Sequence, residues 1–323
     1  MGTILWDQNW DAPEWTQYKK RLARTQDALD ILTDLLQLHP KIKGAITNLR
    51  PELEMSKNTL FFSGVWLDDD DEKPVLIKLG CSDMDYYWAK VFQTGSSEFS
   101  VFPHTYAVDD QLGGEKIRWF VMETIPFGVK GPLSDDEWGC FAQAIAEFQK
   151  FASQIKDPKV FPLNLTQFKT FLRWGIEKNA PNNAGILLER LKHDWSWIEK
   201  ECPPTVQFGD VHLANLRFRT RIIGKHSLVL IDPIPRHGPW VFDPAYCQVI
   251  ATNEDITLIE KVAHFREELG LPIGDKAKIN KMKILMLGWL SVMWWGLAEH
   301  RRDDLDWSNQ ISKYIEDAIE LDV

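Results

Sequence analysis

The sequence is short of cysteine, of basic charge and of long apolar runs, and each shortage closes off a class of function. Its 323 residues include only four cysteines, Cys81, Cys140, Cys202 and Cys247, with no Cys-x-x-Cys pair among them. Neither a disulfide framework nor a zinc site is expected, and reduced thiols point to a cytoplasmic protein. The 37 Lys and Arg are outnumbered by 47 Asp and Glu, for a formal net charge of −10. A nucleic-acid backbone calls for a Lys/Arg-rich face, so no nucleic-acid partner is expected. The longest uncharged apolar run, Ile284 to Ala298, is too short for a membrane span, which needs about 20 residues. It predicts a buried helix and no membrane association. The N-terminal Met-Gly-Thr-Ile-Leu-Trp lacks the basic-then-apolar order of a secretory signal. Repeats, low-complexity tracts and long linkers are also missing.

What is present suits a large core. The hydrophobic fraction is 44%, which at this length is divided more naturally between two lobes than gathered in one. Residues 15–38 carry apolar side chains at helical spacing, and Pro40 closes the pattern. Short β-like runs follow at 45–49, 59–67 and 74–78, then a helix at 83–93 and strands at 106–108 and 117–123. The acidic run Asp68 to Glu72 reads as a solvated hairpin turn; it lacks the alternating spacing and glycine of a calcium loop. Ser134-Asp-Asp-Glu137 is a capping box that starts a helix reaching about Ser153. Further helices are expected at 168–174, 186–200, 256–269, 276–301 and 307–321, with strand-like pieces over 205–243. The order predicts an α+β protein. An N-terminal helix and antiparallel sheet lobe with one packed helix occupies 1–124, and a mostly helical lobe occupies 125–323.

The chemistry concentrates in Gln207-Phe-Gly-Asp-Val-His-Leu-Ala-Asn-Leu-Arg-Phe218 and in the apolar strand Leu228-Val-Leu-Ile231, which delivers Asp232. Phosphoryl transfer explains such a set. One carboxylate takes the proton of an acceptor hydroxyl, while an amide oxygen and a second carboxylate hold Mg²⁺ on the phosphates. A different reading of Asp210-x-His212, the first half of a two-metal phosphoesterase, needs a later Gly-Asn-His-Asp/Glu motif. None follows residue 213.

The segment resembles the catalytic loop of the aminoglycoside phosphotransferase-like small-molecule kinases, relatives of choline kinases and protein kinases. Their pattern is His-Gly-Asp-x4-Asn, then an apolar strand ending in Ile-Asp. Asp232-Pro-Ile-Pro and Asp243-Pro-Ala-Tyr246 are similar to the streptomycin-type and hydroxyurea-type branch. The resemblance implies a bilobal protein-kinase-like fold and an ATP- and Mg²⁺-dependent kinase acting on a hydroxyl of a small molecule. Aminoglycosides and other antibiotics are among the acceptors it suggests, which would make the protein a resistance factor. It assigns Asp210 as the catalytic base and Asn215 and Asp232 as metal ligands, with Asp243 ordering the loop. It assigns Lys78, at the end of strand 74–78, to the nucleotide phosphates, with Asp85 standing where the family has a helix Glu. Ser56 and Asn58 occupy the phosphate-covering turn, and Glu123 and Ile125 present backbone groups to adenine. Late helices line the acceptor pocket in this family, so Trp294 and Trp295 are substrate candidates. Glu299 is a carboxylate available to a cationic acceptor. Phe208 replaces the usual His, and Phe242 the usual Gly before the second Asp. These departures, with the missing helix Glu, leave open an alternative: a catalytically weakened pseudokinase acting as a nucleotide-binding regulatory module.

Overall fold

Alternation along one strand organises the first part of the chain. In Asp71–Leu79, residues Val75, Ile77 and Leu79 are fully buried on one face, and Leu76 and Lys78 point to the other. The structure, a computed structural model, describes residues 26–52, 59–68, 71–95, 101–129, 131–220, 227–251 and 257–321. The chain divides into two compact units, Met1–Pro126 and Phe127–Val323.

The first unit is built on an antiparallel sheet with strand order β1 (Ile46–Pro51), β2 (Leu60–Asp68), β3 (Asp71–Leu79), β5 (Trp119–Glu123), β4 (Thr105–Asp109). Helix α1 (Gln26–Leu38) contributes Leu32 and Leu36 to the core that Val75, Ile77, Leu79, Trp119 and Val121 form on one face. Helix α2 (Asp83–Thr94) covers the opposite face, where Ala89 meets Val108 and Phe120. The described residues of the acidic run flank the β2–β3 hairpin, in keeping with its reading as a solvated hairpin turn. Asp68 ends β2, Asp71 and Glu72 begin β3, and Lys73 Nζ bridges to Asp68 at 2.9 Å. Pairing of backbone across β2 and β3 carries these side chains up to the tip of the hairpin, where water solvates them.

The second unit is mostly helical. Its helices are α3 (Asp135–Ser153), α4 (Leu165–Glu177), α5 (Gly185–Glu201), α6 (Phe242–Ile250), α7 (Leu258–Glu268), α8 (Ile279–Leu297) and α9 (Leu305–Glu320). Ser134 caps α3 with the reciprocal Glu137 bond expected of the box. The run 276–301 is not one helix: short 3-10 turns at Lys276–Lys278 and Glu299–Arg301 flank α8. Close helix contact relies on small residues. A Cβ on Gly175 of α4 would stand 2.0 Å from the Val292 carbonyl oxygen of α8. Two small sheets lie alongside, β6 (Phe127–Gly128) with β9 (Leu216–Phe218) and β10 (Leu228–Leu230), and β7 (Phe161–Pro162) with β11 (Arg236–Pro239) and β8 (Pro204–Gln207). The uncharged run noted above falls largely within α8, and no helix among the described residues is long and apolar enough to cross a membrane.

Candidate active site

In the first unit the polar residues of interest follow from the sheet. Lys78 points to the α2 face of β3, and its Nζ lies 3.3 Å from Asp85 Oδ2, both side chains being largely shielded. Asp85 reaches despite its short side chain because it sits in the first turn of α2. There it also accepts the Ser82 N–H at 3.2 Å, while Ser82 Oγ accepts the Asp85 N–H at 3.1 Å. A carboxylate at a helix N-terminus complements the helix dipole as well as the lysine. At the end of β5 the Glu123 backbone N–H donates to His104 O at 2.8 Å, and the Glu123 carboxylate takes the His104 N–H at 3.1 Å. Thr124 N–H closes on Pro74 O, and Ile125 lies just beyond the strand. Ser56 and Asn58 lie outside the described residues.

In the second unit β8 leads into Phe208-Gly209-Asp210. Gly209 has φ +86°, and a Cβ there would stand 1.9 Å from the Ile234 carbonyl oxygen. Only glycine allows this left-handed turn at such close approach. Phe208, in the place of the family's His, is fully buried with its ring edge-on to Phe148 at 5.2 Å. Its backbone N–H donates to Asp243 Oδ2 at 2.7 Å and the Gly209 N–H to Asp243 Oδ1 at 2.9 Å. Asp243 is fully buried in the first turn of α6. Burial pushes its carboxyl up to about 7, opposed by those two N–H donors and the Arg236 guanidinium. Gln207 completes the brace, accepting the Asp243 N–H at 2.9 Å and donating to Pro239 O at 2.7 Å.

Asp210 and Asn215 are brought together. Asn215 Nδ2 donates to the Asp210 backbone oxygen at 3.0 Å and to its Oδ2 at 3.1 Å. Two acceptors on one side assign the NH₂ end there, so the amide oxygen is turned away from Asp210. His212 Nδ1 accepts the Ala214 N–H at 3.2 Å, and its Nε2 lies 3.6 Å from Asp210 Oδ2. Asp232 follows β10 with φ +54°. It is bracketed by two bonds to the same loop, Ile231 N–H to Asn215 O and Ile234 N–H to Phe208 O, each 2.9 Å. The turn carrying Asp232 is thus stitched to both ends of the segment that carries Asp210 and Asn215.

The sequence reading gave Tyr246 no role, yet its hydroxyl donates to Asp210 Oδ1 at 2.9 Å. The usable signal was Asp243-x-x-Tyr246: residues three apart share one face of a helix. Trp294 lies with its ring 5.5 Å from the Tyr246 ring. Trp295 is committed to packing. It lies parallel to Trp307 at 6.0 Å, its indole N–H donates to Lys178 O at 3.2 Å, and the Arg302 guanidinium lies over it. Glu299 is exposed and paired with Lys178 Nζ at 2.8 Å, which lowers its carboxyl below the usual range.

The oxygens of Asn215 and Asp232 are hard donors of the kind Mg²⁺ takes in ones and twos, with water and phosphate filling the remaining positions. No group of three or more His, Cys, Asp or Glu side chains converges among the described residues.

No protein-family model and no curated protein matches the chain. Solved structures do. A choline/ethanolamine kinase family protein from Mesorhizobium loti superposes with a TM-score of 0.53 at 13% identity, over 90% of this chain and 95% of that one. Spectinomycin phosphotransferase APH(9)-Ia, solved with ADP and spectinomycin, gives 0.51 at 12% identity over 90% and 97%. A thermostable mutant of aminoglycoside phosphotransferase APH(4)-Ia, solved with ADP and hygromycin B, gives 0.51 at 11% identity over 90% and 98%. The chain has the kinase-like α+β fold of these proteins.

Proposed function

We propose that this protein is a Mg²⁺- and ATP-dependent phosphotransferase that moves the γ-phosphate of ATP to a hydroxyl of a small molecule. The observation that carries the reading is the Asn215 side chain. Its amide N–H₂ is spent on Asp210, at the carbonyl and at the carboxylate, and its oxygen is left to face elsewhere. One residue thereby fixes the base and presents a metal ligand, the combination phosphoryl transfer requires.

In this reading Lys78, steadied by Asp85, neutralises charge on the non-transferred phosphates. Adenine is recognised by the backbone at the end of β5, at Glu123 and Ile125, and Ser56 and Asn58 cover the phosphates. Asn215 and Asp232 hold Mg²⁺, which when bound neutralises phosphate charge and aligns the chain of phosphates. Asp210 accepts the proton of the acceptor hydroxyl as its oxygen bonds to the γ-phosphorus and the bond to the ADP oxygen breaks. Acceleration comes from positioning and charge neutralisation, with no covalent intermediate on the protein. The acceptor is a hydroxylated small molecule, an aminoglycoside or other antibiotic among the candidates, and the protein works in the cytoplasm.

The test is ATP consumption across aminoglycosides, other hydroxylated antibiotics, sugars and amino alcohols, followed by Asp210→Ala on any acceptor found. Loss of a base costs about 10²- to 10⁴-fold in turnover, and ATP affinity should stay near the parent value. Near-normal turnover in that variant refutes the role given to Asp210. ATP binding without transfer to any acceptor favours a nucleotide-binding module.

A further inference from the structure

We infer that Tyr246, backed by Trp294, is a positioning residue that fixes the rotation of the Asp210 carboxylate. The inference deepens the proposed function and rests on it for the meaning of that carboxylate. The contact itself stands on geometry alone.

Tyr246 is 2% exposed, and a buried phenol must find an acceptor. It finds one in Asp210 Oδ1 at 2.9 Å. Burial, followed by the adjacent Asp210 charge, raises the Tyr246 hydroxyl well above its ordinary range, so it stays protonated and can only donate to that carboxylate. Oδ2 is held by Asn215. Each oxygen therefore has its own donor, one from the loop and one from α6, and the carboxylate plane cannot turn without breaking one of them. A single donor would leave that rotation free.

The ring is held as firmly as the hydroxyl. Phe242, one turn earlier on α6, stacks on it with centroids 5.6 Å apart and planes 29° apart, and Trp294 from α8 contacts it at 5.5 Å. The Trp294 indole nitrogen is buried and makes no hydrogen bond among the described residues. The helix face that carries Tyr246 also carries Asp243, which holds the two N–H groups preceding Asp210. One turn of helix thus sets both the backbone and the side chain of the proposed base. Arg236, buried beneath, supplies compensating charge: burial brings its guanidinium down to about 10, still protonated at neutral pH.

The test compares wild type, Tyr246→Phe, Asp210→Asn and the double variant. Turnover is read as Mg²⁺-ATP hydrolysis with water as the acceptor, and crystal structures of wild type and Tyr246→Phe provide a reading independent of activity. Tyr246→Phe should lower kcat about 10- to 100-fold, the worth of a hydrogen bond to a charged group. KM for ATP should stay within about twofold, because the lost contact is to the base and not to the nucleotide. The double variant should be no slower than Asp210→Asn, since Tyr246 acts through that carboxylate. In the variant crystal the Asp210 carboxylate should turn away from its wild-type orientation. Trp294→Phe, which keeps the hydroxyl but loosens its ring, should give a smaller loss of kcat in the same direction. Unchanged kcat in Tyr246→Phe, additive losses in the double variant, or an Asp210 rotamer identical in the two crystals would each overturn the inference. Failure of the functional reading looks different: Asp210→Asn then turns over like wild type, and the paired crystals still decide whether Tyr246 sets the carboxylate.

Discussion

Asp243 makes the sharpest test of how the loop is held. It is fully buried and accepts two backbone N–H bonds, from Phe208 at 2.7 Å and Gly209 at 2.9 Å. Asp243→Ala removes both acceptors and offers the stranded donors nothing, since neither reaches water. Each unsatisfied buried donor costs about 1–3 kcal/mol, so with two of them the variant should lose roughly 2–6 kcal/mol. Asp243→Asn keeps one acceptor oxygen but turns an NH₂ group toward the second N–H, so it should lose about half as much. Equilibrium urea unfolding followed by circular dichroism reads this directly. With a slope of about 2 kcal/mol per molar, Asp243→Ala should lower the midpoint by about 1–3 M. Asp243 lies in the mostly helical unit, so if two transitions are resolved the one that shifts should carry most of the helical signal. A midpoint change below about 0.3 M for Asp243→Ala refutes the argument. So does an Asn variant as costly as the Ala variant, because the ranking depends on counting acceptors.

Gly209→Ala should be among the most damaging single-methyl changes in the chain. The added carbon meets the Ile234 carbonyl at 1.9 Å in a left-handed turn, and thermal unfolding should show a loss of about 2 kcal/mol or more. Asp85→Ala removes a helix cap and the Lys78 partner together. It should cost about 1 kcal/mol in thermal unfolding and weaken ATP in a fluorescence titration; unchanged values in both refute the pairing. Asp232→Ala should leave metal-free nucleotide affinity intact and abolish the gain produced by Mg²⁺, as read by calorimetric titration with and without the ion. An undiminished Mg²⁺ gain removes Asp232 from the ligand set.

Much of the fold was legible in the sequence, because its signals are local. The β3 alternation separated Val75, Ile77 and Leu79 from Lys78, and the Ser134 box announced α3. Helix α6 was hidden for a physical reason. Phe242 to Val249 are all buried, so no polar stripe alternates with an apolar one and the helical period has nothing to register on. Pro244 also reads as a break, although a proline in a first turn is tolerated. Asp210, Asn215 and Asp232 stood out through the chemistry phosphoryl transfer requires and through the resemblance of their segment to a kinase catalytic loop. The hydroxyl that meets Asp210 left only the weaker Asp243-x-x-Tyr246 spacing as a signal, because a helix brings it back from 36 residues downstream. Trp295 and Glu299 carried no mark of their commitments to Lys178, Trp307 and Arg302, which tertiary packing alone creates.

The oxygen of Asp85 that faces Lys78 is the same one that accepts the Ser82 N–H. A single atom is therefore shared between an ammonium ion and the opening turn of α2. Whatever anion draws the lysine aside changes the field at that atom, and the change is passed on to the peptide group it caps. Hydrogen exchange at the Ser82 amide would then act as a gauge of lysine occupancy, a conformational reporter that the protein carries with no added probe.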